Sequence, residues 1–202
     1  MCGRFFVAPD DPELMEILQR LEEENRLARL GLPPVKTGEM FPTNHAAVIA
    51  AIRREPAPMQ MQWGFKAFDG KLLINARSET VQEKPTFKKH VREHRCLIPA
   101  SYYFEWKSSP GIKQKIRHIM RDPQRTTVYM AGVFRLEEPE DIPRFVILTR
   151  RAANQIKDIH DRMPVMLVGD AKDAWLVPDA PIDLILGSAI ERIEGLPDDD
   201  QI

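Results

Sequence analysis

The chain has 202 residues, 43% of them hydrophobic and 29% charged, with a formal net charge of −1. This composition suits one soluble globular domain, and no apolar run approaches the ~20 residues needed to span a bilayer. Cys2 and Cys96 are the only cysteines, which excludes a disulfide framework and a cysteine-based zinc site. No basic-then-apolar leader is visible, so a reducing cytoplasm is the expected location.

Cys2 follows the initiator Met1 directly. Its small side chain predicts removal of the methionine, which would leave a free α-amine and a thiol on neighbouring carbons. Such a pair captures an aldehyde: the amine forms an imine, and the thiol closes a five-membered thiazolidine. Position alone also allows a small residue at a frayed terminus. Asp10-Asp11-Pro12-Glu13 then predicts a helix start with Asp10 as cap. Leu14, Ile17, Leu18 and Leu21 keep the spacing of one buried face, and Gly31 with Pro33-Pro34 ends the element. Ala46 to Ile52 is strand-like, and Met59, Met61, Trp63 and Phe65 alternate as a half-buried strand. Asp69-Gly70 is a turn, after which Leu72-Leu73-Ile74 delivers Asn75-Ala76-Arg77.

Thr86 to Arg95 is helix-compatible and basic. Cys96-Leu97-Ile98-Pro99 predicts a short buried strand with a stop at the proline. Tyr102 to Lys107 and Ile112 to Met120 flank Ser108-Ser109-Pro110-Gly111 as a hairpin. Val128 to Phe134 and Phe145 to Thr149 are further strands, split by an acidic loop over 137–141. One or two helical turns from Asn154 lead to His160-Asp161-Arg162-Met163-Pro164. Val165 to Val168 is apolar, Ala171 to Leu176 is a short helix, and the acidic Asp198-Asp199-Asp200 is expected to fray. Many strands with few crossover helices predict an α+β fold: a curved, mainly antiparallel, partly open barrel-like sheet with flanking helices. One domain over 1–202 is expected, with an acidic tail from about residue 180.

Residues 71–125 carry 13 of the 29 Lys/Arg but 5 of the 30 Asp/Glu. A basic stretch in an otherwise acidic chain is either a polyanion-binding face or solvated surface. Asn75 and Arg77, two apart on an extended segment, share a face and suit a phosphate or sugar-phosphate; a loop held by an Arg salt bridge is the structural alternative. Glu105 lies among Tyr103, Phe104 and Trp106, where poor solvation would raise its pKa as general acid/base work requires; an edge-strand carboxylate in water is the other reading. Trp106 beside Lys107 resembles a base-stacking platform next to a phosphate contact. His160 sits in a turn closed by Pro164, where an imidazole can shuttle protons, although a lone histidine is commonly structural. The other histidines show no ligand spacing, so no metal and no cofactor are expected. Cys96 reads as core.

Five blocks in order resemble the SRAP family, the SOS-response-associated peptidases or abasic-site processing proteins. They are Met1-Cys2-Gly3-Arg4-Phe5, Trp63-Gly64-Phe65, Ile74-Asn75-Ala76-Arg77-Ser78-Glu79-Thr80, Phe104-Glu105-Trp106-Lys107 and Ile159-His160-Asp161-Arg162-Met163-Pro164. The resemblance implies a protein that binds single-stranded DNA carrying an abasic site and crosslinks to it through Cys2. It implies Asn75, Glu105 and His160 as the other active-site residues. Arg4, Arg77 and Arg162 are implied as phosphate contacts and Trp106 as a stacking contact. A cytoplasmic monomer, nucleoid-associated when bound to DNA, is expected, with autocatalytic loss of Met1 behind the peptidase label.

Two departures stand out. The loop after Trp63-Gly64-Phe65 is short, leaving Phe65 and Phe68 in place of the family's wedging tryptophans. The family's C-terminal Pro-Val-Ser and Val-Asn pattern is absent, so its last strand is expected to be altered or missing. Two other functions remain compatible with the residues: an N-terminal-nucleophile amidohydrolase using Cys2, and a non-enzymatic single-strand binder using Lys88, Lys89, Lys107 and Trp106.

Overall fold

The computed structural model describes residues 2–52, 55–108, 111, 114–138 and 142–198. Met1, part of the 108–113 turn, part of the 137–141 acidic loop and Asp199-Asp200 lie outside the described residues, as do the expectations placed on them. Strand β1 (Phe5–Val7) is followed by helix α1 (Pro12–Leu27). The cap of α1 is Asp11 rather than Asp10. A residue preceding proline is pushed toward extended backbone, and Asp11 sits at φ −78°, ψ 117°. From there its Oδ1 accepts from the backbone N–H of Glu13 at 3.0 Å and of Leu14 at 3.2 Å. Its Oδ2 accepts from the Thr127 hydroxyl at 2.9 Å, which ties the helix start to the sheet. Leu14, Leu18 and Leu21 are buried as the spacing requires.

Next come β2 (Gly38–Met40), β3 (His45–Ile52), β4 (Glu55–Trp63), β5 (Phe65–Lys66), β6 (Leu72–Leu73) and β7 (Asn75–Arg77). The basic helical stretch is two single turns, α2 (Pro85–Lys88) and α3 (His90–Glu93). After them run β8 (Arg95–Ala100), β9 (Tyr102–Lys107), β10 (Ile116–Arg121), β11 (Val128–Arg135) and β12 (Arg144–Arg151). The chain finishes with β13 (Arg162–Pro164), β14 (Met166–Leu167), α4 (Gly169–Trp175), α5 (Ile182–Gly187) and β15 (Glu194–Pro197). Pro99 does not stop β8: it lies opposite Tyr129 of β11, while the pairing of β8 with β3 covers only Cys96 and Leu97. A proline without an N–H is tolerated where no neighbouring strand calls for that donor.

Most pairings are antiparallel. One sheet runs β15-β10-β9-β1-β2. In the other, β12, β4, β3, β8 and β11 follow one another and β11 pairs back onto β12, so the ring of strands closes. Two parallel pairings, β12 with β4 and β12 with β7, interrupt the antiparallel pattern. The C-terminal segment contributes to the first sheet, because β15 pairs with β10 and the buried Asp198 accepts from Arg117.

Strand alternation sorts side chains between two cores. From β12, Phe145 and Ile147 enter one core and Val146 and Leu148 the other. Gly64, at φ 109°, reverses the sense between β4 and β5, so Trp63 joins the first core and Phe65 the second. A Cβ at Gly64 would lie 2.7 Å from Leu72, so only glycine fits. The second core is covered by Trp175 and Leu176 at the end of α4 and by Ile185 of α5. The first core joins the two sheets: Cys2, Phe5, Tyr103 and Met120 meet Met61, Trp63, Phe145 and Met163 there.

Candidate active site

The N-terminal segment is drawn into the seam between the sheets. β1 pairs with β9 with Phe5 opposite Tyr103, and the Phe104 N–H donates to the Arg4 carbonyl at 2.9 Å. Cys2 is fully buried just ahead of this pairing. From the other sheet, β7 lies parallel to β12 with Asn75 opposite Ile147. Its amide nitrogen donates to the Cys2 carbonyl at 2.8 Å. The Asn75 Oδ1 is buried and has no hydrogen-bond partner among the described residues. The Cys2 sulfur lies 3.7 Å from the Arg4 carbonyl oxygen. Burial pushes its thiol pKa far up, and the Glu105 charge pushes it further.

Glu105 is 3% exposed on β9, opposite His118 of β10. Burial raises its carboxyl to about 6. Its Oε2 is 3.8 Å from the Nε2 of His160. The run from Ala153 to His160 forms turns, with the His160 N–H donating to the Ile156 carbonyl at 3.2 Å. The backbone N–H of Arg162 donates to His160 Nδ1 at 3.0 Å, which assigns the ring proton to Nε2, facing Glu105. The Asp161 carboxylate is also 3.0 Å from Nδ1, but its side chain is 86% exposed, whereas the backbone donor belongs to the buried Arg162. Burial lowers the His160 pKa, so its imidazole is neutral at neutral pH. A neutral imidazole and a carboxyl titrating near 6 are groups that can move protons. Lys115, exposed just ahead of β10, places its positive charge within reach of both Glu105 and His160.

The remaining candidates occupy different environments. The Arg4 guanidinium lies 4.5 Å from the Phe41 ring centre and 5.0 Å from that of Trp106, and donates to Glu39 at 3.0 Å. Arg77 is exposed at the end of β7. Arg162 is 9% exposed, and its guanidinium donates to Glu79 at 2.6 and 2.8 Å and to the Thr149 carbonyl at 2.6 Å. That pairing lowers the Glu79 carboxyl to about 2. A phosphate reaching Arg162 would have to displace Glu79. Phe65 is buried, whereas Phe68 is fully exposed on the turn between β5 and β6.

Cys2, Asn75, Glu105 and His160 thus converge from the N-terminal segment, β7, β9 and the turn before β13. Tyr103, Lys115 and Glu79 join this neighbourhood without having been singled out from sequence. The presence of Tyr103 and Lys115 on the hairpin around Glu105 was the available signal. Among the described residues no group of three or more His, Cys, Asp or Glu could hold a metal ion. No helix among them is long and apolar enough to cross a membrane. A cavity of about 430 Å³ lined by Leu30, Met59 and Phe134 lies apart from these four residues.

The family model described as SOS response associated peptidase (SRAP) matches residues 1–192. The chain is 36% identical over 187 residues to "Abasic site processing protein YoqW" of Bacillus subtilis, covering 88% of this chain and 81% of that protein. It is 26% identical over 178 residues to "Abasic site processing protein YedK" of Escherichia coli, covering 87% and 79%. The crystal structure of a phage-related protein from Bordetella bronchiseptica superposes with a TM-score of 0.74 at 23% identity, covering 98% of this chain and 94% of that one. A Bacteroides thetaiotaomicron structure superposes with a TM-score of 0.74 at 19% identity, covering 96% and 90%. At those identities the superpositions speak to the fold.

Proposed function

The chain belongs to the SRAP family, and from that premise we propose that it processes abasic sites by crosslinking to them through Cys2. The observation that carries this reading is the burial of Cys2 against the Asn75 amide, beside the Glu105–His160 pair. Loss of Met1, which the same site is proposed to catalyse, frees the Cys2 amine. His160 assists opening of the closed sugar hemiacetal, and Asn75 orients the sugar with its Oδ1, which has no partner among the described residues. The amine attacks the C1′ aldehyde and water leaves, giving an imine. Glu105 moves the protons of these steps, since a carboxyl near 6 both gives and takes them at neutral pH. The thiol then adds to the imine carbon to close a thiazolidine. An unclosed imine promotes β-elimination and strand breakage; closure removes it and protects the strand.

The substrate is proposed to be single-stranded DNA bound by a monomer. Arg77 and Arg4 contact phosphates, with Arg4 held by the Phe41 and Trp106 faces and Trp106 left to stack a base. Phe68 is the wedge beside the lesion. Arg162 contacts a phosphate only if Glu79 is displaced; paired with Glu79 and Thr149 it fixes the segment that carries His160. Burial that raises the Cys2 thiol counts against an amidohydrolase, whose nucleophile needs a lowered thiol pKa. Intact mass of the purified protein, alone and after incubation with an abasic oligonucleotide, tests the reading. A chain lacking Met1 and a denaturation-stable adduct are expected. Absence of any adduct overturns it.

A further inference from the structure

Asn75 Oδ1, on the amide that reaches the Cys2 carbonyl, and Tyr103 Oη, in the core that also holds Cys2, are buried and have no hydrogen-bond partner among the described residues. The crosslinking chemistry described above uses the first and leaves the second without a role. Tyr103 is 0% exposed. It stands on β9 two residues before Glu105, so the two side chains share a face of the strand. Phe5 of β1 lies opposite it, and its ring belongs to the same core as Cys2. A fully buried tyrosine hydroxyl ordinarily finds a partner, because leaving it bare costs stability. Phenylalanine would fill the same space without that cost. Burial holds the Tyr103 proton on its oxygen, and the charges of Cys2 and Glu105 reinforce this. The hydroxyl is therefore a donor, on the strand face that carries Glu105 and in the core that holds Cys2.

We propose that Tyr103 is a further catalytic residue of the ring-closing step, its hydroxyl donating a hydrogen bond to the Cys2 sulfur as the thiol adds to the imine. In that step the S–H bond breaks and a bond forms between the sulfur and the imine carbon. The C=N π pair moves to nitrogen, and the proton lost by sulfur ends there. Nothing is oxidised or reduced. Tyr103 keeps its own proton and stabilises negative charge on sulfur between the two events. The thiol is buried, so a donor that has no partner among the described residues at rest and reaches sulfur only in this step lowers the barrier where solvent cannot. Imine formation, which uses the amine, does not draw on this contact.

The inference rests on the crosslinking reading, and Tyr103→Phe separates the two. Wild type and variant are incubated with a single-stranded oligonucleotide bearing one abasic site. Borohydride trapping reads the imine, intact mass reads the closed ring, and a denaturing gel reads strand scission. The variant is expected to form imine within about twofold of wild type but to close the ring ~10–100-fold more slowly, the range for one hydrogen bond to a developing charge. Scission rises accordingly, and the pH profile of closure shifts upward, because sulfur without its donor keeps its proton longer. The variant is expected to melt at or above the wild-type temperature, since it loses only a buried hydroxyl without a partner among the described residues, which separates the effect from a packing fault. Equal closure rates and pH profiles in the two proteins overturn the role of Tyr103, as does an equal slowing of imine formation and closure. No adduct with wild type overturns the crosslinking reading itself.

Discussion

The two cysteines are both fully buried, and burial raises both thiols, yet their surroundings have little else in common. Cys96 stands on β8 opposite Ala50 of β3 and Gly132 of β11. A Cβ added at Gly132 would lie 3.1 Å from its sulfur, so the thiol fills a gap that a glycine leaves. Burial is the sole cause of its shift. Cys2 instead takes the Asn75 amide on its carbonyl and the Glu105 charge on its thiol, with His160 behind Glu105 and Tyr103 in the same core. Burial alone makes a thiol inert. Burial among oriented polar groups keeps it protonated until an electrophile forms beside it, which suits a second nucleophile that acts after the amine.

The widest separation is expected on deleting each sulfur. Cys2→Ala should reduce the adduct with an abasic oligonucleotide to background. Cys96→Ala should crosslink within about twofold of wild type while losing about 1 kcal/mol of stability in urea melts. Loss of crosslinking in a normally folded Cys96→Ala protein would break the contrast. Glu105→Gln comes next, with crosslinking expected to slow ~10³-fold and the acid limb of the rate profile near pH 6 to vanish. His160→Ala is expected to slow it about 10²-fold with DNA affinity unchanged, as for a proton mover. Full-rate crosslinking by that variant would remove His160 from the reaction.

The smallest effect concerns stability against pH. Glu105 is raised to about 6 in the folded chain from an ordinary 4.5, so the folded state holds its proton more tightly. Its contribution is fully present below the unfolded value and is lost as pH rises through the folded one, a difference of about 2 kcal/mol. Relative to Glu105→Gln, wild type should therefore lose that stability between about pH 4.5 and 6 in denaturant titrations. The Cys96→Ala protein should track wild type across the same window. An identical pH dependence in wild type and Glu105→Gln would mean that Glu105 is better solvated than its burial indicates.

Much of the architecture was legible along the chain, because side-chain period depends on neighbours in sequence. The leucines of α1 marked its buried stripe, whereas Phe145 to Leu148, apolar at every position, read as a strand without telling which core each residue enters. The helix cap lies one residue beyond the expected Asp10, since Asp10 and Asp11 are equivalent until the constraint imposed by Pro12 on its predecessor is applied. The C-terminal segment was expected to have an altered or missing last strand because it lacks the family's pattern and is acidic; the pairing of β15 with β10 supplies what its composition does not.

The order of residues already names the groups this protein owns: an amine-and-thiol residue behind Met1, an amide, a carboxylate among aromatics, and an imidazole before a proline. Who stands beside whom is fixed by folding alone. The pairing of β1 with β9 and of β7 with β12 brings Asn75 to the Cys2 carbonyl, closes Arg162 onto Glu79, and leaves Tyr103 Oη without a partner among the described residues. A local pattern sets the face toward which a side chain points, whereas hydrogen-bond partners and desolvation come from strands distant in sequence.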